Sequence, residues 1–322
     1  MKILVTGGAG FIGSNIVERL LQRQDVEMVR VLDNLSTGSL QNIESFQANP
    51  RFEFVQGDIR SYETCLEAVA GIDLISHQAA LGSVPRSIND PLTTNEVNIT
   101  GTLNVFTAAK EKKVWRVVYA ASSSTYGDHP GLPKVENKIG NPLSPYAVTK
   151  FVNELYARVY GQVYGLETVG LRYFNVFGPR QNPNGPYAAV IPLFINSVLN
   201  NEPPLINGDG ETSRDFTFVA NAVHANEQAL FTDNKEAVGQ VFNIAFGERT
   251  TLNELFQTIK EIAGSDLAPK YGPERAGDVR HSLADISKGR TLLGYDPKIS
   301  IREGMKTTFE WYRKQHNFSY SV

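Results

Sequence analysis

A short apolar strand, Lys2-Ile3-Leu4-Val5-Thr6, breaks directly into Gly7-Gly8-Ala9-Gly10-Phe11-Ile12-Gly13, and nothing else in the chain narrows its fold as much. The spacing Gly8-x-Gly10-x-x-Gly13 permits a tight turn, close approach of a backbone to a pyrophosphate, and close helix–strand packing. Behind it, Ser14-Asn15-Ile16-Val17-Glu18-Arg19-Leu20-Leu21 carries apolar residues at helical spacing. The N-terminus of such a helix presents unpaired N–H groups to phosphate oxygens. A second strand, Met28 to Leu32, ends at Asp33, 20 residues beyond Gly13. A carboxylate there accepts hydrogen bonds from an adenosine ribose and repels a 2′-phosphate, so the pattern selects NAD over NADP. Glycines alone are weak evidence. Strand, glycines, helix, strand and acid at these separations are strong evidence.

The rest of the chain alternates in the same way. Phe52–Gln56 ends at Gly57-Asp58-Ile59, and Asp73–Ser76 ends at His77-Gln78-Ala79-Ala80. A helix is expected over about Asn95–Lys110, a strand over Arg116–Ala121, a helix from Pro145 and a further strand over Glu167–Arg172. Such alternation predicts an α/β fold, a doubly wound parallel sheet of Rossmann type with helices on both faces. Ligands bind outside the carboxyl ends of its strands, where Gly10, Asp33, Asp58, His77 and Ser122 all fall. After about Phe174 the texture changes. Pro179 to Pro186 is rich in Pro, Asn and Gly, and Asn207-Gly208-Asp209-Gly210 reads as a loop. Regular elements return near Asp215–Phe231 and Gln240–Ile244, so the smaller α/β lobe is expected to be discontinuous. The expected division is 1–174 plus about 215–246 for the dinucleotide domain, and about 175–214 plus 247–322 for a substrate-binding lobe.

With 322 residues the chain can bury a large core. Charged residues at 20% and a net charge of −3 leave no electrostatic footprint for nucleic acid, so an anionic ligand must be met by a few placed arginines. Cys65 is the single cysteine, which excludes an internal disulfide and reads as a small buried hydrophobe. His224 and His281 are far apart with no acid-spaced partner, so no metal site is expected. Met1 leads at once into the first strand, and no apolar run approaches the roughly 18 residues that cross a membrane. The expectation is a soluble, cytoplasmic chain with neither a membrane nor a nucleic-acid partner.

Within this frame, Tyr146-Ala-Val-Thr-Lys150 lies 24 residues after Ser122 of the run Ser122-Ser123-Ser124. A tyrosine and a lysine four apart share a helix face. An ammonium beside a phenol of pKa about 10 favours the phenolate, and a nearby hydroxyl can complete a proton path. Alone, Tyr-x-x-x-Lys is usually an ordinary helix face. Joined to the glycine motif, to His77-Gln78-Ala79-Ala80, to Tyr126-Gly127 and to Arg172-Tyr173-Phe174-Asn175, it resembles the extended short-chain dehydrogenase/reductase family. Within that family the chain is similar to the nucleotide-sugar 4-epimerases over nearly its whole length. Ala80–Ser87, Asn207–Asp215 and Arg275–Ser282 resemble the branch acting on UDP-N-acetylglucosamine and UDP-N-acetylgalactosamine.

The resemblance implies an isomerase in which Tyr146, as phenolate, takes the proton of the sugar 4-hydroxyl while NAD⁺ takes hydride from C4. The 4-keto sugar turns and hydride returns to its opposite face, with no net oxidation. Lys150 would lower the tyrosine pKa and bind the nicotinamide ribose. Ser122, four before Tyr126, would be the catalytic hydroxyl, with Ser123 the next choice and Ser124 after it. Cofactor contacts are implied for Gly7, Gly10, Phe11, Ile12 and Gly13 of the turn, and for Asp33, Asn34, Ser36, Thr37 and Gly38 beyond the second strand. Asp58, Ile59, Gln78, Ala79, Ala80, Asn98 and Tyr173 join Tyr146 and Lys150 in that set.

Substrate contacts are implied for Ser83, the three serines, Tyr146, Asn175, Gln181, Ala189, Val190, Asn207, Arg214, Arg275, Asp278 and Ser282. Arg214 and Arg275 would grip the diphosphate through their planar forks, or merely pair with Asp215 and Asp278 beside them. Asn175 would bridge to phosphate or sugar, or satisfy a turn. Ser282 aligns with the position that limits pocket size, where a tyrosine would crowd a 2-N-acetyl group; the plain alternative is an ordinary strand or loop residue. Family dehydratases carry Asp-Glu where this chain has Ser123-Ser124, which disfavours elimination of water. His77 reads as support at a strand end rather than as a base. The family pairs as homodimers through helices that would here be about Asn95–Lys110 and Pro145–Tyr164. UDP-glucose 4-epimerase, a uronic-acid epimerase or decarboxylase, and a non-catalytic nucleotide-sensing module remain the alternative readings.

Overall fold

The strand Lys2–Thr6 (β1) buries both of its faces: Ile3 and Val5 enter the core on one side of the sheet and Leu4 the core on the other. Side chains alternate across a strand, so a run apolar at every position needs helices over both faces. The computed structural model describes residues 1–183, 188–274 and 279–319, the side chains of 317–319 excepted. From β1 the chain runs through α1 (Phe11–Leu21), β2 (Met28–Asp33), β3 (Phe52–Gln56), α2 (Tyr62–Ala68) and β4 (Leu74–His77). Two short helices, α3 (Val84–Asn89) and α4 (Pro91–Asn95), lead through a π turn at Glu96–Thr100 into α5 (Gly101–Glu111). β5 (Arg116–Ser122), α6 (Pro145–Tyr164) and β6 (Glu167–Tyr173) follow.

After β6 the elements shorten to β7 (Val176–Phe177), α7 (Val190–Leu199), β8 (Leu205–Asn207), β9 (Ser213–Arg214) and β10 (Thr217–Phe218). Helix α8 (Val219–Phe231) then carries the chain back to the main sheet, where β11 (Val241–Ile244) pairs with β6. The remaining elements are β12 (Thr250–Thr251), α9 (Leu252–Ala263), β13 (Lys270–Gly272), α10 (Ser287–Leu293) and α11 (Ile301–Ser319). The seven-stranded sheet has the order β11-β6-β5-β4-β1-β2-β3, and every pairing in it is parallel. Strand order reverses between β1 and β4, which opens a crevice at their carboxyl ends. Among the described residues, no helix is long and apolar enough to cross a membrane.

The helix expected over Asn95–Lys110 is present, but it is neither uniform nor first in its stretch. Its opening is the π turn, and Asn98 is the reason. The buried Asn98 side chain accepts from Leu81 N–H at 2.8 Å and donates to Leu81 C=O and to Thr149 Oγ1, both at 3.1 Å. One extra residue in the turn re-aims that amide at the loop after β4. The following turn passes so close to Ile59 that a Cβ on Gly101 would stand 2.5 Å from its side chain.

Candidate active site

The carboxyl ends of β1 to β6 converge on a cavity of about 500 Å³. Gly7 turns the chain out of β1 at φ +68°, and a Cβ there would stand 2.7 Å from Ala79 N. A Cβ on Gly13 would stand 2.1 Å from Gly7 O, so helix and turn can meet only without side chains. Gly10 caps α1 without a side-chain acceptor, which leaves the first amides of the helix available beside a cavity lined by Phe11, Ile12 and Gly13. At the end of β2, Asp33 is nearly buried and accepts from Ala9 N–H and Leu35 N–H at 3.0 and 2.8 Å. Burial raises its pKa, and each carboxylate oxygen keeps a second lone pair for a ligand hydroxyl. Asp58 pairs with Arg60 at 2.8 Å and accepts from Asn34, and these bonds hold its carboxyl down at about 2.

Seven of the expected cofactor positions beyond the turn, Asn34, Ser36, Thr37, Ile59, Gln78, Ala79 and Ala80, also line this cavity. Two do not. Asn98 is committed behind the wall to Leu81 and Thr149, so it shapes the lining without reaching the space. Gly38 packs under the glycine turn, where a Cβ would meet Ala9 C at 2.9 Å.

The far end of the cavity is built by β5, β6 and α6. Ser122 and Tyr173 are register partners at the ends of adjacent strands. Ser144 caps α6 by accepting from Ala147 N–H, and Pro145 opens the helix. Tyr146 therefore sits in the first turn and Lys150 one turn on, with all three serines beside them on the cavity wall. Of the three, Ser122 is the one whose hydroxyl draws the pKa of the Tyr146 phenol down. Ser122 Oγ also accepts from Ser124 N–H at 3.1 Å. Lys150 is buried and donates to Ala120 C=O at 2.9 Å, and loss of hydration brings its pKa down to about 8. The expectation that the lysine holds the phenol low is not met in this geometry. Removal from water dominates and pushes Tyr146 above its usual range, with Ser122 pulling it back.

Buried polar groups stand behind this end. His77 lies between Thr6 Oγ1 at 2.7 Å and Thr102 Oγ1 at 3.0 Å, and burial, then Lys150, lower its pKa to about 3. An imidazole so placed is neutral at any physiological pH. Asn226 of α8 donates to Tyr173 Oη at 2.6 Å and accepts from Gln78 and Ser76, while Tyr173 donates to Gln78 Oε1 at 3.1 Å. Asn226, Thr6 and Thr102 were not anticipated, because no local motif sets them apart from their neighbours.

Through Asn175, Val176 and Gln181 the first cavity adjoins a second of about 570 Å³. Ala189, Val190, Asn207 and Arg214 line the second, and Ser83 lines the first. Arg280, also unforeseen, lines the second cavity and pairs with Asp209 and Glu274. Ser282 lines neither: its N–H donates to Ser213 C=O at 3.1 Å, one residue from Arg214. Arg275 and Asp278 lie outside the described residues. The arrangement joins an elongated, amide-lined space ending at a Tyr/Ser/Lys group to a second space with arginines on its wall. Such a site can hold two phosphorylated ligands end to end and move a proton where they meet.

Residues 3–245 match the model of the NAD dependent epimerase/dehydratase family. The UDP-glucose 4-epimerase of Thermotoga maritima, solved with UDP-glucose, is 38% identical with a TM-score of 0.91, over 98% of this chain and 100% of that one. The UDP-N-acetylglucosamine 4-epimerase of Methanobrevibacter ruminantium, in complex with UDP-N-acetylmuramic acid, is 40% identical with a TM-score of 0.92 over 98% of each chain. The Thermus thermophilus UDP-glucose 4-epimerase complexed with NAD is 37% identical with a TM-score of 0.86, over 97% of this chain and 99% of that one.

Proposed function

This chain belongs to the NAD dependent epimerase/dehydratase family, and on that premise we propose that it interconverts C4 epimers of UDP-hexoses. UDP-N-acetylglucosamine and UDP-N-acetylgalactosamine are the preferred pair, with UDP-glucose and UDP-galactose also accepted. The observation that carries the reading is the Tyr146 phenol, on one cavity wall with Ser122 and one turn from Lys150, where the cavity opens through Asn175 and Gln181 towards Arg214. The glycine turn fits a dinucleotide, because the backbones of Gly7 and Gly13 come closer to their neighbours than any side chain allows. NAD, when bound, supplies the acceptor and then the donor of the C4 hydride. Gly7, Gly10 and the amides opening α1 would hold its pyrophosphate, and Asp33 its adenosine ribose.

Tyr146 takes the proton of the 4-hydroxyl and gives it back. To do so it must ionise against its burial, for which Lys150 provides positive charge and Ser122 a hydrogen bond to the phenolate. Arg214 and Asn175 would tether the diphosphate while the sugar turns. Elimination of water needs a carboxyl beside the sugar, whereas Ser123 and Ser124 occupy that stretch of wall. Asp33 is three strands from β5, about 14 Å at the usual strand spacing. The acetylated pair is supported by the resemblance of Ala80–Ser87, Asn207–Asp215 and Arg275–Ser282 to the branch acting on it, and by the 40% identity to a UDP-N-acetylglucosamine 4-epimerase. The proposed division of labour is residues 1–174 with about 215–246 for the cofactor, and 175–214 with 247–322 for the sugar nucleotide.

Purified protein should interconvert the acetylated pair without net formation of NADH. Tyr146→Phe should lower kcat by about 10²- to 10⁴-fold while UDP-sugar binding persists. Failure of the unaltered protein to interconvert either pair would sink the proposal.

A further inference from the structure

Asp215 follows Arg214 directly and is wholly buried. Among the described residues, its charge is met by backbone alone. Oδ1 accepts from Phe246 N–H at 3.1 Å and Gly247 N–H at 3.2 Å, and Oδ2 accepts from Gly247 N–H at 3.2 Å and Ala284 N–H at 3.1 Å. Its own carbonyl accepts from the Asn175 amide at 3.1 Å, and Thr217 N–H returns to Asn175 C=O at 3.3 Å. One residue thus touches the turn after β6, the turn after β11 and the segment after Ser282. That last segment is already laid against β9, through Ser213 N–H to Arg280 C=O at 2.9 Å and Ser282 N–H to Ser213 C=O at 3.1 Å. On its other side it pairs with Lys134, whose N–H donates to Leu283 C=O at 2.7 Å. A buried carboxylate is a costly way to hold a fold together, and loss of hydration pushes this one up to about 7. What it offers in return is acceptor capacity for several N–H groups converging on one point, which no neutral side chain of its size supplies.

We propose that Asp215 is a positioning residue for the sugar nucleotide: its carboxylate locks the segments bearing Asn175, Arg214 and Arg280 into the one arrangement that receives the diphosphate and the hexose. This rests on the reading of the second cavity as the sugar-nucleotide site. Asp215 acts through its neighbours and touches no reacting atom. Replacing one carboxylate oxygen by an amide nitrogen sets a donor against the N–H of Ala284 or of Phe246, and the segments part. Misplacement of a positioned group by about 1 Å can cost a hundredfold in catalytic efficiency.

The test is calorimetric binding of UDP-N-acetylglucosamine to the NAD-loaded protein and to Asp215→Asn. The variant should bind about tenfold to a hundredfold more weakly, with KM raised more than kcat is lowered and with NAD content unchanged. A variant that melts earlier but binds with unchanged affinity would overturn the proposal, because Asp215 would then serve the fold alone. Amide exchange of the unaltered protein gives a second readout that does not depend on the variant folding. UDP-N-acetylglucosamine should slow exchange at Phe246, Gly247 and Ala284 together, and no change at these three amides would overturn the proposal equally. Because binding rather than turnover is measured, a protein that binds the sugar nucleotide without epimerising it would refute the assigned reaction and leave this inference standing.

Discussion

At the scale of residues, the cavity walls are held by pairings between groups far apart in the chain. Gly7, Asp33, Tyr146 and Lys150 belong to motifs whose spacing is short and fixed by one turn or one strand end. Asn226 meets Gln78 across 148 positions and Asp215 meets Ala284 across 69, and neither pairing leaves a trace in local sequence. Lys150 shows why the distinction matters energetically. Spacing suggested an ordinary ammonium beside a phenol, whereas burial sets its pKa at about 8 against 10.5 for the free side chain. Between these values the folded protein binds fewer protons than the unfolded chain, so stability rises with pH across that window. The cost of the buried ammonium is present in full below about 8 and is relieved as pH approaches 10.5. The cofactor-free protein should therefore gain melting temperature relative to Lys150→Met as pH is raised from 8 to 10.5. A difference between the two that stays constant over that range would contradict the buried charge.

At the scale of elements, strand and helix order was readable because β1, β2, β3 and β5 are short runs that stop at a glycine, an acid or a serine. Boundaries at β1, β3 and α6 fall where the spacing places them. The departure at Glu96–Thr100 has a definite cause, since helical periodicity is blind to a side chain that bonds outside its own helix. Asn98 spends both ends of its amide on Leu81, at the start of the segment that carries Gly82 and Ser83 along the cavity. Asn98→Ala removes three hydrogen bonds and leaves the half-buried Leu81 backbone without these partners, a loss of about 1–3 kcal/mol. Urea unfolding should show that loss, and NAD affinity should fall with it, because the wall relaxes even though Asn98 touches no ligand. Unchanged NAD affinity in the folded variant would mean that the wall is held by something else.

At the scale of the whole molecule, the surface of α6 turned away from the sheet is unusually apolar. Val148, Leu155, Val159 and Val163 are 45%, 42%, 45% and 64% exposed, and spacings of seven, four and four put them on one helix face. Ile88 of α3 and Leu92 of α4, 61% and 76% exposed, come from the two short helices that pack against α6. The helix stretch expected to pair with α6 began at Asn95, whereas these exposed apolar residues lie just before it. A stripe of this kind costs solubility when bare and fits a second copy of the chain laid across it by two-fold symmetry, since each copy then covers the other's α6. The site lies on the other side of this helix, so dimerisation would brace the first turn of α6, where Tyr146 sits, without closing the cavity. The protein should sediment as a dimer at micromolar concentration, and Val159→Arg combined with Val163→Arg should shift it to monomer by burying two like charges against their symmetry mates. A double variant that remains dimeric would show that α6 is not the paired face, and the exposed stripe would then need another occupant.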